Sequence, residues 1–554
     1  MVFYLLTAEL LAVFLLVAAL AIACVSHSEA KRVRLAVAAL AIVLPGLVLL
    51  APTATATYFA QQRNLDLGLL TPLLQIVLIG YVAGVIALGW RGFRVCPEGI
   101  RAGHWPRARL ATRLCIAIIL LLLTLWKMDT TARQELASVR DESSALALSV
   151  APPRVPDRDN AALVYKRAIE TMETKDFWPT AARDQWLLWV DPNEDGHDFT
   201  DANLTAFLER HQDLLQMIQA ATRLSGCHFE RDYAHPSLDM QLPELGGLRD
   251  MQRLLTLQAH WQAAQGHVAE AVTTINAMYR LSDHAGLEPV LITALVTIAM
   301  ENMAHAALQY LCTHTNVSEE DLQRVAWPHT PLRQLLSRAL HMEEAFGLSA
   351  FCSLAEGRHD LSAVIEAGDV AQVDSTGLAD RATLALFRIF LLAPDLANYR
   401  ATMQHQRTVA AQSYRQAKGE WDRLDAEFAT QPHGILTSLL LSGLRNCSEA
   451  VIRAETERRC AQVGLAVYQH HLTTGALPAS LAELSPGEME TVPSDLYNQE
   501  PLRIKQSGRG VLIYSVGPDL ADDDGADFDK EEKTGDLVFR MTLPPAQGCH
   551  PLSR

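Results

Sequence analysis

The sequence predicts a mainly α-helical protein with an N-terminal transmembrane anchor and a small α+β part at its C-terminus. Four apolar runs precede residue 127, and each is close to the 20 residues that a helix needs to cross a bilayer. From residue 158 to about 475, apolar residues recur with a helical period, and beyond this point they alternate as in strands. We therefore expect four parts: an anchor at 1–126, a linker at 127–157, a helical domain at 158–445 and a C-terminal domain at 446–554.

The anchor is predicted from four apolar runs at residues 2–25, 35–54, 68–90 and 108–126. The fourth run is the weakest, because Arg109 and Arg113 must extend to the interface to reach water. A cleaved signal peptide is the alternative for the first run. That run contains Glu9, has no basic residues in front of it and exceeds the usual apolar length, which favours a retained helix.

The orientation of the anchor follows from its basic residues. The first and third connections, together with Arg109 and Arg113 at the beginning of the fourth run, carry nine Lys and Arg residues, whereas the second connection carries only Arg63. Loops rich in Lys and Arg stay in the cytoplasm. Both the N-terminus and residues 127–554 are therefore expected to be extracytoplasmic, with the lipid bilayer as a partner of the anchor.

The net charge changes from positive to negative at the end of the predicted anchor, residue 126. Residues 1–126 carry 10 Lys+Arg against 4 Asp+Glu, whereas the rest carries 37 against 59. A nucleic-acid partner requires a basic face, so the acidic excess of residues 127–554 excludes nucleic acid as the expected partner. It also argues against docking of this part on anionic lipid.

The helical domain is predicted from amphipathic patterns. Residues 200–225 form the clearest stripe, and residues 249–265 and 268–284 form an Ala-rich helix pair around Gly266 that resembles one tetratricopeptide-type hairpin. One such hairpin does not make a repeat array. Further helices are expected at 289–313, 331–356, 378–392, 396–428 and 446–474.

The C-terminal part changes to a strand pattern after Gly475, which is a typical helix-ending residue. Residues 502–505 and 511–514 alternate around a Ser-Gly-Arg-Gly turn, and residues 536–541 provide a third strand. An acidic loop precedes this third strand, with six aspartates between residues 519 and 529. Calcium takes six to eight oxygen ligands, which such a loop can supply. The alternative is a solvated acidic loop.

The choice between a calcium site and a solvated loop depends on a resemblance carried by residues 459–468, 474–481, 492–495, 501–504, 514–519 and 535–538. The C-terminal part resembles the corresponding part of the major pseudopilin of type II secretion systems, in which a long helix leads into a small sheet and a loop binds calcium. The resemblance implies Ca²⁺ ligands at Asp519, Asp522 and Asp536, followed by Asp523 and Asp524. This sequence differs from the family because its long helix lies in mid-chain, whereas a pseudopilin carries that helix at its N-terminus. The resemblance therefore does not imply pilus-like polymerisation.

The whole chain also resembles a group of multi-pass bacterial envelope proteins, in residues 160–165, 227–233, 248–251 and 344–348. This resemblance implies an architecture without implying an activity. Together with the basic-residue bias, it implies a multi-pass protein of the bacterial inner (cytoplasmic) membrane.

The function expected from the sequence is a structural, assembly or partner-binding role, with protein partners bound through the helical domain. No HExxH, GxSxG, Walker or dinucleotide-binding motif is present. The alternative is a membrane-bound, hydrolase-like enzyme with an acidic site in the helical domain. A deep pocket lined by Glu343, Glu344 or Asp232 would favour that alternative.

Overall fold

The described chain consists of helices followed by a small antiparallel sheet. The computed structural model describes residues 105–174, 177–178, 186, 199–357, 385, 387–430, 434–441 and 443–545. Its helices are α1 Trp105–Val150, α2 Ala161–Met172, α3 Ala202–Arg210, α4 Gln212–Ala221, α5 Glu244–Ala264, α6 Val268–Ala285, α7 Leu291–His314, α8 Glu319–Gln323, α9 Leu332–Ala355, α10 Leu392–Ala410, α11 Tyr414–Thr430, α12 Ile435–Leu440 and α13 Leu444–Thr474. The strands are β1 Arg503–Ser507, β2 Gly510–Ser515 and β3 Leu537–Thr542.

The mainly α class is confirmed, and so is the small sheet. Of the four predicted spanning runs, 2–25, 35–54 and 68–90 lie outside the described residues, and 108–126 falls within α1. Residues 127–150, which we expected to belong to a linker, are also helical, and only 151–156 lack regular structure. Pro152, Pro153 and Pro156 end the helical stretch, because proline disfavours a helical residue before it and lacks a backbone donor.

One helix among the described residues is long and apolar enough to cross a membrane. It is α7, with a mean hydropathy of 1.4 in its best 18-residue window, 56% of which is buried inside the protein. α7 packs against α5, α6, α13 and β3, as the central helix of a protein core does.

The chain is divided into two compact units. One comprises residues 1–138 and 351–394, and the other comprises residues 139–350 and 395–554. The second unit contains most of the helices and the whole sheet.

The boundaries of several helices follow from the residues that cap them. Asn160 caps α2 by accepting a hydrogen bond from the Ala162 N–H at 3.1 Å, and Asp201 caps α3 through the Asn203 N–H at 2.9 Å. α13 ends at Gly475, whose φ of 74° is the left-handed conformation that glycine adopts readily. The stripe expected over 200–225 is buried, but it is divided between two helices that meet at His211.

The sheet has the order β1-β2-β3, with both neighbouring pairs antiparallel. A two-residue turn joins β1 to β2 between Ser507 and Gly510, and Gly508 in it has a φ of 62°. Buried side chains alternate along β3, as expected of a strand with one face on a core.

The sheet and the helices of the second unit share one apolar core. A single cluster of buried side chains includes Tyr165 of α2, Met278 of α6, Leu308 of α7, Val467 of α13 and Ile513 of β2. Gly464 of α13 lies so close to Phe539 that a Cβ at this position would be 2.5 Å from the ring. The boundary expected at 445/446 falls at the beginning of α13, and the packing continues across it.

Candidate functional site

The loop between α4 and α5 forms a cleft, and its beginning is fixed by the start of α2. The Asn160 side chain donates to the His228 carbonyl at 3.0 Å and accepts from the His228 N–H at 2.8 Å. The Ala161 N–H donates to the Gly226 carbonyl at 2.8 Å. A residue that caps a helix therefore also holds both polar backbone groups of His228 in place.

A buried ion network lies beneath this loop. The Arg231 guanidinium pairs with Glu244, in the first turn of α5, and with Glu288 at 2.9 Å. These three side chains are 6%, 7% and 7% exposed. Arg231 also donates to the Gln241 carbonyl at 2.7 Å, so that it joins the middle of the loop to its end. Breaking such a buried pair leaves an uncompensated charge and costs several kcal/mol, which makes the network a rigid base.

Tyr233 completes the network from the other side of Glu288. Its hydroxyl donates to the Glu288 carboxylate at 2.5 Å. Burial and the negative charge of Glu288 both raise the pKa of Tyr233, so the phenol stays protonated and remains a donor. Arg338 approaches the same region and donates to the Leu287 carbonyl at 2.6 Å. Burial lowers the pKa of Arg338, although Tyr233 and Glu288 oppose this effect.

The cleft above the network has a volume of about 250 Å³. At its rim the Asp232 carboxylate lies 2.8 Å from Nδ1 of His235, and both side chains are exposed. The hydrogen bond to His235 lowers the pKa of Asp232. The rim can therefore present carboxylates, an imidazole and a hydroxyl to a ligand in water. The residues lining the cleft are Glu230, Arg231, Asp232, His235, Ser237, Asp239, Met240 and Gln241.

The carboxylates proposed for an enzymatic site do not meet. Asp232 lines the cleft, whereas Glu344 pairs with Arg407 at 2.6 Å. Glu343 accepts a hydrogen bond from the Leu291 N–H at 3.3 Å at the beginning of α7, and burial raises its pKa. Glu343 therefore binds the N-terminus of α7, and Glu344 is paired with Arg407.

The predicted calcium ligands lie in a loop that is held together by its own backbone. Asp519 accepts hydrogen bonds from the N–H groups of Ala521 and Gly535, both at 3.1 Å. Asp536 is fully buried, and its Oδ2 accepts from the Gly525 N–H at 2.7 Å. Asp519 therefore joins the two ends of the acidic loop, and Asp536 holds its middle at Gly525.

Two other predicted ligands face cations of the first strand. Asp522 lies 3.1 Å from Arg503, and Asp524 lies 2.8 Å from Lys505. Asp523 is exposed. Within the part of the chain that the structure describes, no three His, Cys, Asp or Glu side chains are grouped so that they could hold a metal ion. The sequence anticipated the acidic loop but not these two ion pairs.

Asp536 nevertheless has a carboxylate that is not fully used. Its Oδ1 is buried without a hydrogen-bond partner among the described residues. Burial raises the pKa of Asp536, and the nearby carboxylates of Asp522 and Asp523 raise it further. A cation beside this oxygen would remove both penalties.

A second buried ion pair lies in the core, away from the cleft. Arg458 of α13 binds both carboxylate oxygens of Glu301 of α7, and the two side chains are 6% and 2% exposed. Their neighbours Tyr279 and His305 are buried, and burial lowers the pKa of His305 to about 3. The imidazole is therefore neutral at pH 7.

Sequence reasoning missed both buried networks. Arg231 and Glu244 are 13 residues apart, and Glu301 and Arg458 are 157 residues apart, so no local period connects them. The only signal was indirect, since residues 227–233 were among the stretches that carried the resemblance to envelope proteins.

No family model, no curated protein and no solved structure matches the chain.

Proposed function

We propose that this chain is a multi-pass envelope protein of the inner membrane whose extracytoplasmic part binds a protein partner through the cleft of residues 230–241. The observation that carries this proposal is the combination of a buried, ion-paired base with an exposed polar rim. Arg231, Glu244 and Glu288 fix the base, and Asp232 and His235 stand at the rim.

The rigid base lowers the cost of binding. A ligand that meets a preformed surface does not have to order that surface, and this saving appears directly as affinity. Arg231 binds both the Gln241 carbonyl of the loop and the Glu288 carboxylate beneath it, so the backbone of the cleft is already fixed without a ligand. The rim groups remain in water, which suits a polar partner segment that associates reversibly.

The membrane anchor is supported by the side chains near the end of the fourth predicted span. Leu123, Trp126 and Met128 of α1 are large apolar residues, and all three are exposed. Tryptophan is enriched where a spanning helix leaves the bilayer. Among the side chains of α1 that the structure describes, from residue 123 onwards, the first buried one is Ala132, and Leu136 follows on the same face, as expected where a helix emerges from lipid and meets its own protein.

We also propose that the acidic loop binds one calcium ion through Asp519, Asp522 and Asp536, with Asp523 or Asp524 next. The support comes from the pseudopilin resemblance and from the spare, buried oxygen of Asp536. Binding would require Asp522 to turn away from Arg503. The pair between them is partly exposed, and such pairs are worth about 0–1 kcal/mol, so the rearrangement is inexpensive.

A photocrosslinking experiment in intact membranes tests the partner-binding function. A photoreactive side chain replaces Gln241, which lines the cleft, and a second variant carries it at Gln216, an exposed glutamine of α4. We expect one discrete adduct of higher mass from position 241 and none from position 216. Equal adducts from both positions, or none from position 241, would overturn the proposal.

A second candidate function is hydrolysis, for which the specific observation is the Asp232–His235 pair at 2.8 Å. A carboxylate that orients an imidazole is one half of a general-base device. The open rim weakens this candidate, because catalysis gains from excluded water. His235→Ala should abolish any hydrolytic activity of the purified chain, whereas an activity that survives this change would arise elsewhere.

A further inference from the structure

A short apolar segment, residues 387–394, lies beside the part of α1 where the fourth predicted span ends. We propose that this segment inserts into the interfacial region of the bilayer as a second contact with the membrane, next to Trp126. The inference rests on the proposed anchor and adds to it a surface that does not span the membrane. All the residues used in the argument belong to the unit of residues 1–138 and 351–394.

The composition of the segment is that of a membrane-facing element. It reads Phe-Arg-Ile-Phe-Leu-Leu-Ala-Pro and contains one charged residue, Arg388. Phe390 is 41% exposed, and Ala393 and Pro394 are also exposed. Large exposed apolar side chains are costly in water and favourable at the boundary between headgroups and acyl chains.

The single charge is withdrawn from this surface. Arg388 Nε lies 2.6 Å from the Asp129 carboxylate, and its Nη1 donates to the Ala355 carbonyl at 2.6 Å. The Arg388 side chain is 5% exposed. The side that the segment presents to its surroundings therefore carries apolar groups without an exposed charge, which removes the main penalty for contact with lipid.

The ion pair also sets the depth of the segment along α1. Asp129 is three residues beyond Trp126, which is about 4.5 Å along a helix that rises 1.5 Å per residue. Arg388 meets Asp129 directly, so the segment lies close to the level at which α1 leaves the predicted span. Trp126 and Met128 are exposed within one helical turn of this level, and Leu123 is exposed about 9 Å from it towards the predicted span. The segment therefore lies close to exposed apolar groups of α1.

A bilayer fits this surface better than a protein partner. A partner site would be expected to show polar groups around its apolar centre, as interfaces do. Here Arg388 is paired with Asp129, and the exposed charges nearby, Lys127 and Arg133, are both basic, as long side chains that reach the headgroup region often are. The apolar surface also lies next to a helix that is itself predicted to leave the membrane. A lipid surface needs no further specific group.

Photolabelling of the full-length chain in phosphatidylcholine vesicles tests this inference. The photoreactive residue p-benzoylphenylalanine replaces Phe390 in one variant and Leu163 of α2 in a control, because Leu163 has a similar exposure of 39%. We expect at least fivefold more lipid adduct from position 390 than from position 163. Equal lipid adduct from both positions, or adduct to protein alone from position 390, would overturn the inference.

Flotation of the same samples separates this inference from the proposed anchor. If the chain floats with the vesicles but position 390 gives no excess of lipid adduct, the anchor stands and the second contact is overturned. If the chain does not float with the vesicles, the anchor and the second contact are both overturned.

Discussion

Arg458 donates hydrogen bonds to both carboxylate oxygens of Glu301, at 2.8 and 2.7 Å, in the core of the second unit. The pair joins α7 to α13, two helices that are far apart in sequence. Asp283 and Glu455 lie close enough to influence Glu301, and Tyr279 and His305 enclose it. The core of the second unit therefore contains an ion pair between two helices whose energy depends on pH.

The first prediction concerns this pH dependence. Burial outweighs Arg458 and raises the pKa of Glu301 to about 7, above its value in the unfolded chain. The folded state then binds more protons between pH 4.5 and 7, so the contribution of Glu301 to stability is present at low pH and is lost as the pH rises through 7. Relative to Glu301→Gln, the wild type should lose unfolding free energy between pH 5 and pH 8 in denaturant titrations.

Removing the arginine sharpens this test. Arg458→Met leaves the Glu301 carboxylate buried without its partner, and we expect a loss of about 3–5 kcal/mol at pH 8. The loss should be smaller at pH 5, where Glu301 is protonated, and it should also be smaller in the double variant with Glu301→Gln. A loss that is the same at both pH values would show that the charge of Glu301 is not involved.

The second prediction concerns the close contact between Gly464 and Phe539. A Cβ at position 464 would lie 2.5 Å from the ring, so Gly464→Ala should destabilise the second unit by about 1–3 kcal/mol through overpacking. Hydrogen exchange should accelerate in α5 and in β3 together, because both contribute to the same core. Residues 139–350 and 395–554 should accordingly unfold in one transition, and not as separate helical and C-terminal domains.

Gly419 of α11 provides the matched control. It is also helical, and no atom lies within 4 Å of the Cβ that alanine would add. Gly419→Ala should be neutral or stabilising by about 0.5–1 kcal/mol. Exchange that accelerates only in β3 of the Gly464→Ala protein would indicate that the C-terminal part unfolds independently.

The third prediction concerns calcium. The melting temperature of the full chain should be higher in millimolar calcium than in chelator, because an ion that binds only the folded state contributes about 2.7 kcal/mol at a hundredfold excess over Kd. Asp536→Asn should remove this shift. It should also disappear in acid, because burial raises the pKa of Asp536 and its protonated form binds calcium poorly.

Asp529→Asn is the control for calcium. Asp529 lies in the same loop and accepts hydrogen bonds from the N–H groups of Glu531 and Glu532, but it is not among the predicted ligands. This variant should keep the calcium-dependent shift. An unchanged melting temperature of the wild type in calcium would show that the loop is a solvated acidic turn.

The fourth prediction concerns topology. A reporter that is active only outside the cytoplasm, fused after residue 160, should be active, because the nine basic residues of the first and third connections and of the beginning of the fourth run favour the cytoplasmic side. Replacing the three basic residues of the first connection, Lys31, Arg32 and Arg34, with glutamine should lower this activity. A cytoplasm-only reporter that is active at the same position would contradict the orientation and indicate that the fourth run does not span.

Local patterns predicted much of the secondary structure. The hairpin around Gly508, the third strand, the helix pair around Gly266 and the end of α13 at Gly475 all follow from short-range rules that a single stretch satisfies by itself. The same rules failed where a stripe of one period was divided, at His211 and again between α10 and α11. A hydrophobic stripe reports which face is buried and does not report where the backbone bends.

The candidate site was predicted only in part. Asp232 was named as a carboxylate that a pocket would contain, and it does line the cleft. The base of that cleft, formed by Arg231, Glu244 and Glu288, was not predicted. A charged residue in a polar loop has the same appearance in sequence whether it is solvated or buried, because its partner is supplied by another element.

The sequence by itself determined the order of helices and strands, the acidic character of residues 127–554 and the position of the aspartate-rich loop, since each depends on composition or on a local period. Only the tertiary structure decided that α13 and the sheet share a core with the helices, that Arg458 pairs with Glu301, and that Asp522 and Asp524 face Arg503 and Lys505. These contacts join residues that are between about 20 and 160 positions apart. Their energies arise from burial and from charges brought together by folding, which no stretch of the chain contains alone.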